Sequence, residues 1–172
     1  MNYEITHALN SLTGSHIFFD AMVLVYAEII PWFIGFFFCV LIIFSYTKTV
    51  RPFVFSALVL SIAGLVSAKL KIVFNFQRPF EIYQTIQPIF VTYGFGSFPS
   101  SHALFFAALT TLSFFFLKRF SYFFLIISFI IGIARVIAGV HFFFDVVTGW
   151  ILGFLLALGA MYVYKNSIGK EE

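Results

Sequence analysis

Residues 29–47 read IIPWFIGFFFCVLIIFSYT, a stretch without a single charged side chain. Crossing the hydrocarbon of a bilayer takes about 17–25 predominantly apolar residues in a helix, the conformation that satisfies its own backbone polar groups without water. This run is long enough unaided, and so is the uncharged run 146–164. Three shorter runs, 53–68, 103–117 and 120–134, reach that length only by drawing in their flanks, which are Lys69 to Phe76, Pro99 to His102, and Arg135 to Gly139. The polar residues of interest therefore fall at helix ends, near the depth of lipid headgroups. The expected fold is an all-α, polytopic membrane helix bundle with five or six transmembrane segments and its polar site at one set of helix ends.

Composition agrees. The 172 residues are 62% hydrophobic and 10% charged, whereas a soluble domain carries about 25% charged residues. Lipid is the solvent such a surface fits, and residues 1–172 read as one integral-membrane domain with no room for a separate soluble module. Residues 1–28 mix apolar side chains with Asp20 and Glu28. They are expected to form an interfacial or re-entrant helix, with a further span as the alternative. The opening MNYEITHALNSLTG lacks a basic n-region and a small-residue cleavage site, and is not read as a cleaved signal peptide. Cys39, the only cysteine, lies within FFFCVLII and is expected to pack or face lipid. It excludes an intrachain disulfide and a cysteine metal cluster.

The net charge of +3 is small and unevenly placed, which points to topology rather than to a nucleic-acid partner. If the five spans alternate, Lys48, Arg51, Lys118, Arg119, Lys165 and Lys170 fall on one side. Short loops rich in Lys and Arg stay in the cytoplasm, so that side is the cytoplasmic one. Lys69, Lys71, Arg78 and Arg135 fall near the opposite side. Cations at membrane depth cost roughly 2.5–3.5 kcal/mol each at mid-helix and less near the interface. A bound anion would account for them.

Three segments end on that outer face. In KIVFNFQRP, Lys71 and Arg78 are seven apart and would share a face of a continuing helix, before Pro79 starts a loop. In FGSFPSSHALFF, residues 95–106, a Pro-Ser-Ser-His start reads as a helix N-terminus, whose unsatisfied N–H groups and dipole favour phosphate. In ARVIAGVHFFFD, His141 and Asp145 are four apart on one face, near enough for the carboxylate to hold one imidazole nitrogen. Gly139 lets the chain turn between Arg135 and His141. Each segment alone has a plain reading: snorkelling cations, a capped span, a satisfied polar pair. Together they bring a Lys, two Arg, two His, an Asp and two Ser to one side, which independent plain readings do not explain.

In order and spacing these segments resemble the signature of the type 2 phosphatidic acid phosphatase superfamily, KxxxxxxRP, PSGH and SRxxxxxHxxxD. Here they read KIVFNFQRP, PSSH and ARVIAGVHFFFD. Ser101 replaces the Gly of PSGH and Ala134 the Ser before the Arg; neither change touches a proton-transfer group. The opening MNYEI…LNSLTG and the short length also resemble the small bacterial undecaprenyl-diphosphate phosphatases of this superfamily.

The resemblance implies a covalent, metal-free hydrolysis without a cofactor. His141 is the nucleophile, Asp145 orients it, and His102 protonates the leaving oxygen and later takes a proton from water. Lys71, Arg78 and Arg135 clamp the phosphoryl oxygens, with Ser100 and the N–H groups of Ser101 and His102. Two His and one Asp make a thin zinc site. The implied partner is a lipid phosphate in a bacterial cytoplasmic membrane, with the site facing the exterior: undecaprenyl diphosphate first, the lipid A 1-phosphate or phosphatidylglycerol phosphate next. A phosphotransferase would keep the same site. An anion transporter would place its polar groups at mid-membrane. The loop from Pro79 to Phe98 is expected to be a selectivity lid hinged at Gly94 and Gly96, or else a plain connector.

Overall fold

Apolar runs of this kind become helices because each residue's N–H and C=O must be paired within the segment once water is excluded. The computed structural model describes residues 1–45, 50–92, 94 and 96–168, with backbone alone at 167 and 168. It contains α1 (Asn2–Asn10), α2 (Ile17–Ser45), α3 (Arg51–Phe74), α4 (Pro79–Ile82), α5 (Ser101–Phe116), α6 (Ser121–Ile137) and α7 (Phe143–Ile168), with a 3-10 turn at Lys118–Phe120. Among the described residues there is no strand. Four stretches, Ile17–Ser45, Arg51–Ile82 (α3 with the short α4 after a break), Lys118–Ile137 and Phe143–Asn166, are long and apolar enough to cross a membrane, and α5 is a shorter apolar helix. The expected polytopic bundle is present, with four such stretches and one shorter apolar helix.

The shortest of them is the centre. Helix α5 is buried along most of Ala103–Ser113 and packs against α3, α6 and α7. Phe38, Ile42, Leu109, Leu112, Phe124 and Met161 fill the core around it. Large apolar side chains such as Trp32, Phe36, Leu65 and Tyr162 point outward, where lipid rather than water is the fitting solvent. Cys39 is exposed among them.

Close approach of α7 to α5 depends on two glycines one turn apart, Gly149 and Gly153. A Cβ on Gly149 would meet Ser100 O at 2.8 Å and Ala103 Cβ at 2.9 Å. A Cβ on Gly153 would overlap the Leu104 carbonyl and meet Ala107 Cβ at 3.0 Å. Small residues at this spacing let two helix backbones touch in a membrane, where dispersion and hydrogen bonds rather than hydrophobicity drive association. This contact sets the start of α5 beside the start of α7.

The two ends of the bundle differ. At one end Phe55 of α3, Phe116 of α5 and Tyr164 of α7 stack, with Phe55 and Tyr164 ring centroids 4.4 Å apart. Lys165 sits 4.8 Å over the Phe115 ring there, and Arg51, Lys118 and Arg119 belong to the same end by chain position. Lys48 and Lys170, expected beside them, lie outside the described residues.

At the other end three details depart from expectation. Residues 17–28 form no helix of their own: they are the first part of α2, continuous with residues 30–45 through a π-helical turn at Val25–Ile29. Residues 2–10 form a short separate helix. Helix α3 stops at Phe74, because Asn75 adopts the left-handed conformation at φ 41°; Asn tolerates it better than most residues. Lys71 and Arg78 therefore do not share a helix face, and Arg78 reaches inward from extended backbone before Pro79.

The described residues between α4 and α5 form a packed strap. Ile86 is buried, the Ile89 N–H donates to Ala138 O at 3.2 Å, and the Ser97 N–H to Phe76 O at 2.7 Å. Gly96 presses against the Phe76 backbone so closely that a Cβ would lie 2.8 Å from its nitrogen. Gly139, at φ 73°, makes the turn that ends α6.

Candidate active site

His141 sits in the turn between α6 and α7, with its side chain 2% exposed. Asp145 lies in the first turn of α7. Its Oδ2 accepts the Phe142 N–H at 2.9 Å, which answers one of the donors a helix start leaves unpaired. The same oxygen is 3.7 Å from His141 Nδ1, too long for a hydrogen bond. Ser97 of the strap fills the gap. Its hydroxyl donates a short hydrogen bond to Asp145 Oδ2 and lies 3.4 Å from His141 Nδ1. The carboxylate thus holds the imidazole through Ser97 rather than directly.

Each expected clamp cation is held by main chain from a distant segment. Lys71 Nζ donates to Gly96 O at 2.9 Å and Ser97 O at 3.2 Å. Arg78 Nη1 donates to Val140 O at 2.9 Å, one residue before the imidazole. Arg135 Nη1 donates to Ala27 O at 3.3 Å and to Glu28 Oε1 at 2.5 Å, and its guanidinium stacks 5.3 Å over Phe90. Lys69, the fourth cation on this side, is exposed and outside the cluster.

His141 feels all of them. Burial holds its imidazole well below the ordinary range, and Arg135, Lys71, Arg78 and His102 push it the same way. A buried base among cations stays neutral. That is the form in which a ring nitrogen can attack.

Ser100 caps α5 by position, yet its hydroxyl makes no capping bond. Its N–H donates to Asp145 O at 3.1 Å, while its Oγ is buried without a partner, as is Arg135 Nε. Buried polar groups are nearly always paired. Ser56, Thr92 and Trp150 also carry an unpaired buried atom, but Ser100 at the start of α5 and Arg135 at the end of α6 are the two that belong to the motif segments. The Ser101 hydroxyl turns away to Ser67 at 2.8 Å, which leaves its N–H as what it offers an anion. His102, one residue into the helix, opens onto a different space. It lines, with Ser101, Gly64, Gly35, Trp32 and Phe106, a largely apolar cleft of about 510 Å³ between α2, α3 and α5. Asp145 instead borders a cavity of about 610 Å³ at the end of the bundle, where Asn2, Asn75 and Gln77 alternate with Phe76, Phe98 and Phe142.

All eight expected residues thus come to one end of the bundle, while the Ser101 hydroxyl is engaged elsewhere. Several residues here were not expected from sequence. Ser97 has no signal apart from lying two residues before Pro99 in SFPSSH. Glu28 had one, being, with Asp20, one of two carboxylates in a mostly apolar helix, which is a functional flag by default. Asn2 and Thr6 of α1 accept the N–H groups of Phe144 and Phe143 at 3.2 and 3.1 Å, and Asn10 ties Ile137 O to Gln87 on the strap. Helix α1 thereby braces the turn that carries His141. Among the described residues no three His, Cys, Asp or Glu side chains form a metal-holding group.

Comparison with known proteins bears on the same region. The chain is 25% identical over 158 residues to the bacitracin transport permease protein BcrC of Bacillus licheniformis, covering 92% of this chain and 78% of that one. Two solved structures share the fold. LpxE of Aquifex aeolicus superposes with a TM-score of 0.75 over 92% of this chain and 93% of its own, at 22% identity. The first transmembrane PAP2-type phosphatidylglycerolphosphate phosphatase of Bacillus subtilis gives 0.74 over 96% and 85%, at 23% identity. Residues 52–168, which hold all three motif segments, match the PAP2 superfamily, and the chain belongs to that family of membrane phosphatases.

Proposed function

We propose that this protein is a membrane lipid phosphatase that hydrolyses a phosphate or diphosphate headgroup through a phosphohistidine at His141, with undecaprenyl diphosphate as the preferred substrate. What supports the reading is the buried His141 imidazole, tied to Asp145 through Ser97, with the Arg78 bond to Val140 O on its own turn. Lys71 is held on the Ser97 carbonyl, and Ser100 Oγ and Arg135 Nε are buried and unpaired. A phosphoryl group supplies oxygens for both orphaned atoms and charge for the cations, each charge-assisted bond netting roughly 1.5–3 kcal/mol.

In the first step His141 Nε2 attacks phosphorus. The P–O bond to the leaving group breaks, its electron pair stays on the leaving oxygen, and protonated His102 gives its proton to that oxygen and becomes neutral. With Nδ1 facing Ser97 and Asp145, Nε2 is the nitrogen free to attack. In the second step water attacks the phosphohistidine, His102 accepts its proton, and inorganic phosphate leaves with His141 neutral again. The cations and helix N–H groups stabilise the charge that builds on the phosphoryl oxygens. The two openings fit these roles. His102 borders the apolar cleft where a lipid leaving group would lie, and Asp145 borders the cavity at the bundle end, of mixed lining, from which water would arrive.

The four described cations at the opposite bundle end favour a site on the exterior face of a bacterial cytoplasmic membrane. The name of the Bacillus licheniformis relative raises transport as a second reading. A transporter concentrates its polar groups near the midplane, whereas here they gather at one end. The lipid A 1-phosphate, phosphatidylglycerol phosphate and a lipid phosphotransfer acceptor suit the same site.

Phosphate release from purified protein, measured on these lipids in detergent with EDTA present, tests the reading. Preferred release from undecaprenyl diphosphate that survives chelation supports it. Absence of release from every lipid phosphate overturns the hydrolase, and activity lost to EDTA and restored by Zn2+ or Mg2+ overturns the metal-free route.

A further inference from the structure

The family match begins at residue 52, yet the tightest contact to a clamp cation comes from residue 28. At Val25–Ile29 helix α2 widens into a π turn. Such turns interrupt the usual ladder and are found at functional sites. Here the turn brings two acceptors to Arg135 Nη1: the Ala27 carbonyl at 3.3 Å and Glu28 Oε1 at 2.5 Å. Ala27 is fully buried and packs with Ala134 and Ala138 of the α6 end, so the socket is fixed on both sides. Phe90 of the strap lies against the guanidinium face at 5.3 Å.

These contacts occupy one edge and one face of the guanidinium. Nε remains buried and unpaired. A guanidinium is a planar fork, and a carboxylate or phosphate takes it best by two parallel bonds. Fixing Nη1 on Glu28 therefore decides which edge is left for the ligand.

We infer that Glu28 and the π turn of α2 form a socket that orients Arg135, so that its Nε edge is presented to the phosphoryl group. Glu28 acts through Arg135 and is a positioning residue. The inference rests on the phosphatase reading and adds to it a segment upstream of the matched region. The Glu28 side chain is 35% exposed and that of Arg135 only 4%. The cation therefore stays buried and aimed while the anion keeps part of its hydration.

Steady-state phosphate release from the lipid phosphate that wild type turns over best tests this, with Glu28→Ala, Glu28→Gln, Arg135→Ala and the Glu28→Ala/Arg135→Ala pair compared in one detergent. A misaimed clamp costs up to about a hundredfold. The expectation is a fall in kcat of about tenfold or more for Glu28→Ala, near-full recovery in Glu28→Gln, which keeps the hydrogen bond, and less than about a twofold further loss when Glu28→Ala is added to Arg135→Ala. Should Glu28→Ala fail to fold, Glu28→Leu, close in volume and unable to accept from Nη1, takes its place: a fall in kcat at the thermal stability of wild type supports orientation by hydrogen bonding, and wild-type kcat overturns it. Wild-type kcat in Glu28→Ala, or equal losses from Glu28→Ala with and without Arg135, overturns the socket and leaves the phosphatase reading standing. An inactive wild type removes the phosphatase reading itself.

Discussion

Ser97 Oγ lies 3.4 Å from His141 Nδ1 and donates its own proton to Asp145 Oδ2. With its donor used on the carboxylate, the hydroxyl can only accept from the imidazole. The Nδ1–H tautomer follows, and Nε2 keeps its lone pair. Ser97→Ala should therefore lower kcat while leaving lipid affinity nearly intact. Leaving a buried donor unpaired costs about 1–3 kcal/mol, which is roughly five- to hundredfold in rate if lost at the transition state. Asp145→Asn in the Ser97→Ala background should add less than it does alone, because both act on one ring. Kinetics of the two single variants and the double variant check this; strict additivity would mean that Ser97 and Asp145 do not share a path to the imidazole.

His141 and His102 should separate by substrate. His141→Ala should abolish release from every lipid phosphate, since it removes the nitrogen that forms the covalent bond. His102→Ala should be more damaging on a lipid monophosphate than on a lipid diphosphate. An alkoxide leaving group needs a proton, whereas a lipid phosphate leaves more easily without one. Parallel assays of both variants on both substrates decide it, and equal losses for His102→Ala would argue against its role as acid.

The spans and the three motif segments are legible in the sequence because each rests on a local signal: uncharged runs of spanning length, and fixed spacings such as His141 to Asp145. Their convergence is legible only as an inference from alternation. Ser97, Glu28 and Asn10 are not, for one physical reason. Each pairs with a group more than forty residues away in the chain, and no local period records such a pairing. The continuous α2 is hidden for a different reason. Asp20 and Glu28 interrupt hydropathy, but Asp20 accepts the Gly14 N–H at 3.1 Å and Glu28 pairs with Arg135, so the helix carries both without breaking. The early stop of α3 at Asn75 is masked by Pro79, the louder terminator.

Gly149 tests the packing that joins α5 to α7. A methyl there would enter the 2.8 Å gap to Ser100 O, and forcing atoms into a filled interface costs about 1–3 kcal/mol. Gly149→Ala should lower the thermal unfolding midpoint in detergent and reduce activity together, because the Ser100 N–H bond to Asp145 O crosses the same contact. Gly159, on the same helix with nothing within 4 Å of a built Cβ, is the control. Gly159→Ala should be neutral or stabilise by up to about 1 kcal/mol through helix propensity. A Gly149→Ala protein as stable and active as Gly159→Ala would remove close backbone approach as the reason for glycine at 149.

Gly64 offers the sharpest test of how a lipid reaches the site. It lines the apolar cleft that ends at Ser101 and His102, and a Cβ built on it meets nothing within 4 Å. A larger side chain there fills the cleft without straining the helix, which separates access from stability. Gly64→Leu should keep the wild-type unfolding midpoint. It should lower kcat/KM for a long-chain lipid phosphate by about tenfold or more, equivalent to ~1.4 kcal/mol. A short, water-soluble phosphate monoester does not need the cleft and should be turned over at the wild-type rate, reaching His141 from the cavity beside Asp145. Equal losses on both substrates would place the effect at the phosphate clamp, and no loss on either would mean that the chain of the lipid lies elsewhere.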